Sequence, residues 1–197
     1  MKKISRVRSY HHGDLKTALV DAVLKLVREK GLRGFSLNEA ARMAGGSVAA
    51  PYRHFRDKGA LLAEVVRQGN KSLELELRKA ADRSEAVQDR LMDICMAYVR
   101  FAKQHPDYFA VMFGSGIDKS QFPEIQRSAA KAFGVVLDLV RGTNSSLKGA
   151  QEHAITYWVF VHGLVTLGSE GALSNITGEP FGDKMYESIL RRFIQQE

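Results

Sequence analysis

The sequence predicts an all-α fold, with an N-terminal three-helix helix-turn-helix domain joined to a larger helical domain and about nine helices in all. Apolar residues recur every three or four positions along most of the 197 residues, which is the spacing of one face of an α-helix. No stretch alternates apolar and polar residues convincingly, as a half-buried strand does. Glycine, proline and capping residues fall between the periodic stretches, where helices begin and end.

The first predicted helix covers residues 14–30. Leu15, Leu19 and Val23 lie four residues apart and therefore share one face of this helix. Gly31 follows directly, at a position where glycine commonly ends a helix. The helix is amphipathic, and we expect its apolar face to pack against the helices that follow.

A short second helix is predicted over residues 36–44. Ser36 and Glu39 stand three residues apart and form a capping box, in which the hydroxyl and the carboxylate each accept a hydrogen bond from a free backbone N–H group. Gly45 and Gly46 then end the helix and form a turn.

A third helix is predicted over residues 48–55, with Ser47 as its N-cap and with Val48, Tyr52 and Phe55 on its inward side. Pro51 would stand at the fourth helical position. There it forfeits only the first intrahelical hydrogen bond, to the Ser47 carbonyl, so the proline is compatible with a helix.

A fourth helix is predicted to begin at Asp57, whose carboxylate can cap it. Two short helices joined by a glycine turn and flanked by longer helices form a helix-turn-helix. We therefore assign residues 1–66 to a helix-turn-helix domain and residues 67–197 to a second, helical domain. The first domain opens with a basic arm, whose charged residues are Lys2, Lys3, Arg6 and Arg8.

The second domain is predicted to contain longer helices. His105-Pro106 separates two of them, because proline is well suited to the first position of a helix and poorly suited to its interior. Residues 114–122 and 169–180 are predicted to be loops. The helices predicted in this domain cover residues 84–104, 107–113, 123–141, 147–168 and 182–195.

Net charge divides the chain into two unequal parts. Residues 1–70 carry 14 Lys and Arg against 6 Asp and Glu, whereas residues 71–197 carry 15 against 16. The surplus of positive charge therefore lies in the first third, which favours a module that binds a polyanion. A merely solvated surface would spread the charge more evenly.

Composition excludes some classes of site and favours the cytoplasm. Cys95 is the single cysteine, so the chain can form neither an internal disulfide nor a cysteine-rich zinc site. The N-terminus lacks the apolar run of a signal peptide. The most apolar stretch, residues 154–168, is shorter than the roughly 20 residues that span a bilayer. We expect a cytoplasmic protein without membrane segment, metal, cofactor or catalytic residues.

Three stretches of the first domain resemble the tetracycline-repressor (TetR) family of bacterial regulators: YHHGDLKTALVDAVLKLVREKG, FSLNEAARMAGGS and PYRHFRDKGALL. This resemblance covers about residues 10–66. In the second domain, HPDYFAVMFG and the pattern Trp158-x-x-x-His162-Gly163 resemble one C-terminal subgroup of the same family. One residue departs from the family pattern, because Gly46 stands where the family usually has a branched apolar residue that packs into the small core.

The resemblance implies a transcriptional regulator, most often a repressor, that binds a palindromic operator in double-stranded DNA as a homodimer. It implies that a small-molecule effector in the second domain changes the spacing of the two DNA-binding domains. It also implies that residues 147–168 and 182–195 of two subunits form a four-helix dimer interface.

The third predicted helix would lie in the major groove, where small side chains let the backbone approach the bases and longer polar ones reach phosphates. Burial in the core is the alternative for Tyr52 and His54, and it is the interpretation adopted for Phe55. The basic arm would follow the minor groove or backbone, or form a solvated tail. The predicted DNA contacts are Arg33, Ser36, Ser47, Val48, Ala49, Ala50, Tyr52, Arg53, His54 and Lys58.

An apolar pocket between helices of the second domain is predicted to hold the effector. Trp158 and His162 are four residues apart and share one helix face. Core or interface packing is an equally good explanation for such residues, so both interpretations stay open. The candidates for the pocket are Cys95, Tyr98, Met112, Phe113, Phe133, Trp158 and His162.

Two other functions explain less of the sequence. The first alternative is an enzyme that uses the C-terminal pocket. The sequence gives it little support, because it contains no Gly-rich phosphate loop, no H-E-x-x-H motif and no nucleophile elbow. His153 and His162 also lack the i, i+4 spacing of a metal-binding pair. An architectural protein that binds DNA without sequence preference would need wedge residues and more basic residues than the second domain supplies.

Overall fold

The structure, a computed structural model, describes residues 12–142 and 146–196. Within these residues the chain forms nine α-helices, two 3-10 turns and no strand, which confirms the predicted all-α fold. None of these helices is long and apolar enough to cross a membrane. The predicted basic arm lies outside the described residues. The helices are α1 (His12–Lys30), α2 (Leu37–Met43), α3 (Lys58–Ala81), α4 (Val87–Gln104), α5 (Pro106–Gly114), α6 (Pro123–Arg141), α7 (Leu147–Ser169), α8 (Ala172–Thr177) and α9 (Asp183–Gln196).

Helix α2 begins with the predicted capping box. The Glu39 backbone N–H donates to the Ser36 hydroxyl oxygen at 3.2 Å, and the Ser36 backbone N–H donates to the Glu39 carboxylate at 2.8 Å. The two orphan donors of the first turn are thereby satisfied, so the start of this helix is fixed by local chemistry.

Helix α2 ends in a Schellman motif. The Gly45 N–H donates to the Arg42 carbonyl at 3.0 Å, and the Gly46 N–H donates to the Ala41 carbonyl at 2.9 Å. Gly45 has a left-handed φ of +74°, which the motif requires at this position. The glycine pair therefore turns the chain out of α2 without leaving its last carbonyls unpaired.

The predicted third helix is wrong in length and in type. Only Pro51–Arg53 is helical, as a 3-10 turn instead of a helix over residues 48–55. Because Pro51 has no N–H group, the Ser47 carbonyl accepts a hydrogen bond from the Ala50 N–H at 2.9 Å, which is the shorter i to i+3 bond. Ala50 replaces Ser47 as the N-cap and makes no side-chain capping bond.

Helix α3 is a single helix of 24 residues. It begins at Lys58, and its N-cap is Asp57, whose carboxylate accepts a hydrogen bond from the Ala60 N–H at 2.7 Å. The helix contacts α1 as well as α4, α5 and α6. The predicted boundary between residues 66 and 67 falls inside α3, so the two assigned domains share this helix and the boundary stays a prediction.

The rest of the chain packs around α3. Helix α6 lies along α3, α7 contacts α6 and α4, and α9 packs on α4. Tyr98 and Phe101 of α4 and Leu190 of α9 are almost fully buried in this core. A bundle of long helices therefore forms the larger domain, as predicted.

The region predicted as a loop over residues 169–180 contains helix α8, so that prediction is wrong. Gly171 and Gly178 have left-handed φ values of +74° and +73° and stand at the two ends of the six-residue helix. No residue of α8 is buried, and its six residues are too few to show a helical period in the sequence. The predicted loop over residues 114–122 likewise contains a 3-10 turn at Lys119–Gln121.

Candidate nucleic-acid interface and ligand pocket

The segment between α2 and α3 presents large side chains to solvent. Val48 is 44% exposed and Tyr52 is 55% exposed. Phe55, three residues further on, is buried in the core of the N-terminal helices. The predicted inward side is therefore right for Phe55 and wrong for Val48 and Tyr52, because a 3-10 turn replaces the α-helix whose spacing placed all three on one face.

We call residues 47–54 the reading segment. Besides Val48 and Tyr52, it contains most of the other residues that the sequence predicts to contact DNA. Ala50 and His54 are half-buried, and the His54 ring lies 6.5 Å from the Phe55 ring. The exposed candidates besides Val48 and Tyr52 are Arg33, Ser36, Ser47, Ala49 and Arg53.

Ser36 caps α2 and at the same time faces solvent. Its partner Glu39 also accepts a hydrogen bond from the Lys30 ammonium at 2.7 Å. The Lys30 ammonium and the Ser36 donors lower the pKa of the Glu39 carboxyl to about 2. The carboxylate thus remains charged at neutral pH and holds the capping box together, while a contact from Ser36 to DNA stays a prediction.

Lys58, predicted to contact a phosphate, turns towards the protein. Its ammonium donates to the Phe35 carbonyl at 2.7 Å and lies 3.8 Å from the centre of the Phe35 ring. Partial burial lowers the pKa of this lysine. The side chain therefore ties α3 to the loop that precedes α2, and its contact with DNA stays a prediction.

Gly46 stands close to side chains of the N-terminal domain. A β-carbon at this position would lie 3.3 Å from the Ala50 β-carbon and 3.4 Å from a Leu15 methyl group. The site therefore faces the small core, where the family resemblance places a larger apolar residue. A methyl group fits if its neighbours move by a few tenths of an ångström.

The second domain contains an apolar cleft of about 400 Å³ between α3, α5, α6 and α7. Four of the predicted pocket residues line it, which are Met112, Phe113, Phe133 and Trp158. Its volume lies within the range of about 300–1,000 Å³ that is common for small-molecule sites. The Trp158 and Phe133 rings are 5.8 Å apart and nearly perpendicular, so they form an aromatic wall.

Cys95 and Tyr98 lie in a separate and almost filled space. With Leu77, Val136 and other apolar neighbours they line a cavity of only about 10 Å³. Burial raises the pKa of the Cys95 thiol to about 12, so this cysteine is a neutral core residue. These two candidates are not brought to the apolar cleft.

His162 belongs to an aromatic cluster beside the cleft. Its Nδ1 lies 2.9 Å from the Tyr98 hydroxyl oxygen, and its ring lies 4.4 Å from the Phe113 ring and 5.5 Å from the Phe109 ring. Burial, and then the positive charge of Lys119, lower the pKa of the imidazole. In this structure His162 is a hydrogen-bonded packing residue that touches the pocket through Phe113.

Two polar residues of the cleft, Asn70 and Lys119, were missed from the sequence. Asn70 lies within an apolar stripe of α3, and Lys119 lies in a segment that was interpreted as a loop. Helical spacing would have placed Asn70 on the buried side of α3, next to Val66 and Leu73. No comparable signal in the sequence marks Lys119.

A second cleft, of about 350 Å³, is more polar and carries charges of both signs. Arg78 and Arg90 line it together with Asp82 and Asp138. These opposed charges give it no clear preference for an anion or a cation. Across residues 12–142 and 146–196, no group of three or more His, Cys, Asp or Glu side chains is arranged to hold a metal ion.

Two family models match the chain. The model described as bacterial regulatory proteins of the tetR family matches residues 19–65. The model described as tetracyclin repressor-like, C-terminal domain, matches residues 91–193, more than half of the chain. Among curated proteins, none is significantly similar to this chain in sequence.

Several solved structures share the fold over nearly the whole chain. A protein of unknown function from Rhodococcus sp. RHA1 is 26% identical, with a TM-score of 0.79 and 96% of each chain covered. A TetR family transcription regulator from Marinobacter aquaeolei VT8 is 18% identical, with a TM-score of 0.69 and 93% of this chain and 95% of that chain covered. A fatty acid degradation regulator from Bacillus halodurans is 11% identical, with a TM-score of 0.72 and coverages of 95% and 96%.

Proposed function

Because the chain belongs to the TetR family of DNA-binding transcriptional regulators, we propose that it is a ligand-responsive repressor. In this proposal a homodimer binds a palindromic operator through its two helix-turn-helix domains. A small molecule in the apolar cleft then releases the operator. A regulator of this kind meets its operator in the cytoplasm, which is the location we propose.

The observation that carries the proposal is the exposed reading segment in the basic third of the chain. Val48 and Tyr52 face solvent although their apolar surface would be stabilised by burial. Apolar and small side chains at this point can contact thymine methyl groups, and Tyr52 and Arg53 can reach phosphates. The charge surplus of residues 1–70 supports binding to a polyanion.

Support for a homodimer comes from the outer face of α7 and its contact with α9. Val159 and Leu167 of α7 are 63% and 46% exposed. Phe160 of α7 stacks on Phe193 of α9, with ring centres 3.8 Å apart. The two helices thus form one face, and a second copy of that face would bury the exposed apolar residues.

Support for an effector comes from the apolar cleft and its position. Met112 and Phe113 of α5 line the cleft, and α5 also contacts α1, the first helix of the DNA-binding domain. A ligand that displaces α5 would therefore act directly on the DNA-binding domain. Enzymatic activity in this cleft is the weaker alternative, because the described residues around it offer no nucleophile with an adjacent base.

Selection of bound duplexes from a random DNA pool by the purified protein, at fixed salt concentration, tests the proposal. We expect a palindrome to be enriched, and competition with a set of metabolites to identify one that releases it. A protein that retains random duplexes as well as any selected sequence would not be an operator-binding repressor. Turnover of a substrate that is lost in the His162→Ala variant would favour the enzyme instead.

A further inference from the structure

The apolar cleft has two polar groups, and each keeps hydrogen-bonding capacity beyond the bonds it makes within the fold. Asn70 projects from α3 and Lys119 from the turn before α6, while the remaining wall is mainly aliphatic and aromatic. Sites of this kind recognise a ligand through its apolar body and orient it through a few polar contacts. The chemistry of these two groups therefore defines the class of ligand.

Lys119 brings a positive charge to the cleft. Its ammonium donates to the Met112 carbonyl at 2.8 Å and lies 5.7 Å from the centre of the Phe113 ring. In the part of the chain that the structure describes, no carboxylate forms an ion pair with it. The Met112 carbonyl uses one of its three N–H donors, and the others are available to a ligand.

Asn70 brings a buried amide, with only 7% of the residue exposed. Its Nδ2 donates to the Ser128 hydroxyl oxygen at 3.0 Å, and that hydroxyl in turn donates to the Ile125 carbonyl at 2.9 Å. Since the Ser128 proton is committed to Ile125, the hydroxyl can only accept from Asn70, which fixes the orientation of the amide. Among the described residues, the second N–H and the Oδ1 of Asn70 have no partner.

Resting on the regulator function proposed above, we infer that the effector is an amphipathic organic acid. Its apolar body packs against Phe113, Phe133 and Trp158, its acidic group pairs with Lys119, and the Asn70 amide supplies a second polar contact. A cationic ligand would be repelled by Lys119, and a neutral ligand would leave this charge without a counterion. A charge-assisted hydrogen bond in a partly buried site gives the acid its advantage.

Isothermal titration calorimetry on the full-length protein tests this inference. The probes are 3-phenylpropionate, 4-phenylbutyrate and octanoate, each compared with the primary amide of the same skeleton. We expect at least one acid to bind, about tenfold or more tightly than its amide, because the amide loses the charge-assisted bond. Equal affinity of acids and amides, or no binding of any acid, would overturn the inference.

Three variants assign the effect to Lys119. Lys119→Met should lower the affinity for the acid about tenfold and leave that for the amide unchanged, while Lys119→Arg should keep most of the acid affinity. Lys131→Met is the matched control, because this exposed lysine of α6 does not line the cleft. If Lys119→Met and Lys131→Met bind the acid equally well, Lys119 does not recognise it.

DNA binding without any probe separates this inference from the regulator function. Lys131→Met should bind the selected operator as the unaltered protein does, since Lys131 is exposed and does not line the cleft. An unaltered protein that shows no operator preference would reject the regulator function. An operator-binding protein that is indifferent to acids would reject only the inference about the effector.

Discussion

The two adjacent glycines after α2 have different roles, although the sequence shows them as a pair. Gly45 has a left-handed φ of +74°, whereas Gly46 does not and is instead limited by the space around it. A side chain at position 45 is strained whatever the space, and one at position 46 fits only if Ala50 and Leu15 move by a few tenths of an ångström. Because an alanine at position 46 needs only this small movement and gains apolar contacts, we expect the two substitutions to change stability in opposite directions.

We predict that Gly45→Ala lowers the free energy of unfolding by about 1–2 kcal/mol, the cost of a left-handed residue with a β-carbon. Gly46→Ala should raise it by about 0.5 kcal/mol, because alanine restricts the unfolded chain and its methyl group packs in the core. Urea unfolding of both variants measures the two effects. If Gly46→Ala destabilises the protein as much as Gly45→Ala, the neighbours of Gly46 cannot make room.

His162 makes stability depend on pH. Burial lowers the pKa of its imidazole from the ordinary value of 6.5, and Lys119 adds to the effect; the Tyr98 hydroxyl is its hydrogen-bond partner. The unfolded chain therefore binds a proton more readily than the folded one as the pH falls through 6.5. Stability from this residue is complete above that pH and decreases below it, until the folded imidazole is protonated too.

We predict that His162→Gln reduces the loss of stability between about pH 7.5 and pH 5.5, since glutamine has no proton to gain and can still bond to Tyr98. The measurement is the free energy of unfolding of both proteins across this range. Identical pH dependence in the two proteins would show that His162 does not titrate differently in the folded state.

At the scale of elements, α5 connects the apolar cleft to the DNA-binding domain. The Arg28 guanidinium of α1 donates to the carboxylate of Asp107, the second residue of α5, at 2.6 Å. Near its C-terminal end, α5 packs Met112 against α3 where Gly69 has no side chain, since a β-carbon there would lie 2.5 Å from the Met112 sulfur. One short helix thus contacts both α1 and α3.

We predict that Asp107→Asn lowers the free energy of unfolding by about 1 kcal/mol, because the Asp107 carboxylate is buried but the Arg28 side chain is largely exposed. Glu152→Gln is the control, since its ion pair with Lys148 on α7 is exposed and should contribute less than about 0.5 kcal/mol. Urea unfolding compares the two. Equal effects would mean that the ion pair between α1 and α5 contributes no more to stability than an exposed ion pair does.

Elements with strong local signals could be predicted from the sequence. The Ser36–Glu39 capping box and the glycines after α2 form as expected, because the bonds they make lie within a few residues. The helix predicted around Pro51 is longer than the observed turn, because the Ser47 carbonyl accepts a hydrogen bond from the Ala50 N–H and closes a tighter turn. Helix α8 was missed because it buries no residue.

The candidate sites were predictable only in part. Burial of Phe55 agrees with the helical spacing, whereas Tyr52, which the same spacing places inward, is exposed. The inward turn of Lys58 depends on the carbonyl groups of a distant loop. Four of the seven pocket candidates line the apolar cleft, but Lys119 could not be found because no periodic pattern marks it. Local sequence patterns do not predict contacts between residues that lie far apart in the chain.

At the scale of the whole molecule, the proposed homodimer depends on the outer face of α7. We predict that Val159→Asp, at a position 63% exposed in the single chain, converts the proposed dimer to a monomer, because it places a charge in the proposed apolar interface. Leu75→Asp on α3 is the control, since Leu75 is 49% exposed but lies away from α7. Light scattering after size-exclusion chromatography measures the mass. A Val159→Asp protein that remains dimeric would place the interface elsewhere.

The most direct test of the whole account is the affinity of the purified protein for its selected palindrome and for a scrambled duplex at one salt concentration. We predict that the palindrome binds about a thousandfold or more tightly. We also predict that Tyr52→Ala weakens binding to the palindrome by about tenfold without changing stability, since Tyr52 is exposed. Equal affinity for the two duplexes, or an unchanged affinity in Tyr52→Ala, would contradict the claim that the reading segment binds an operator.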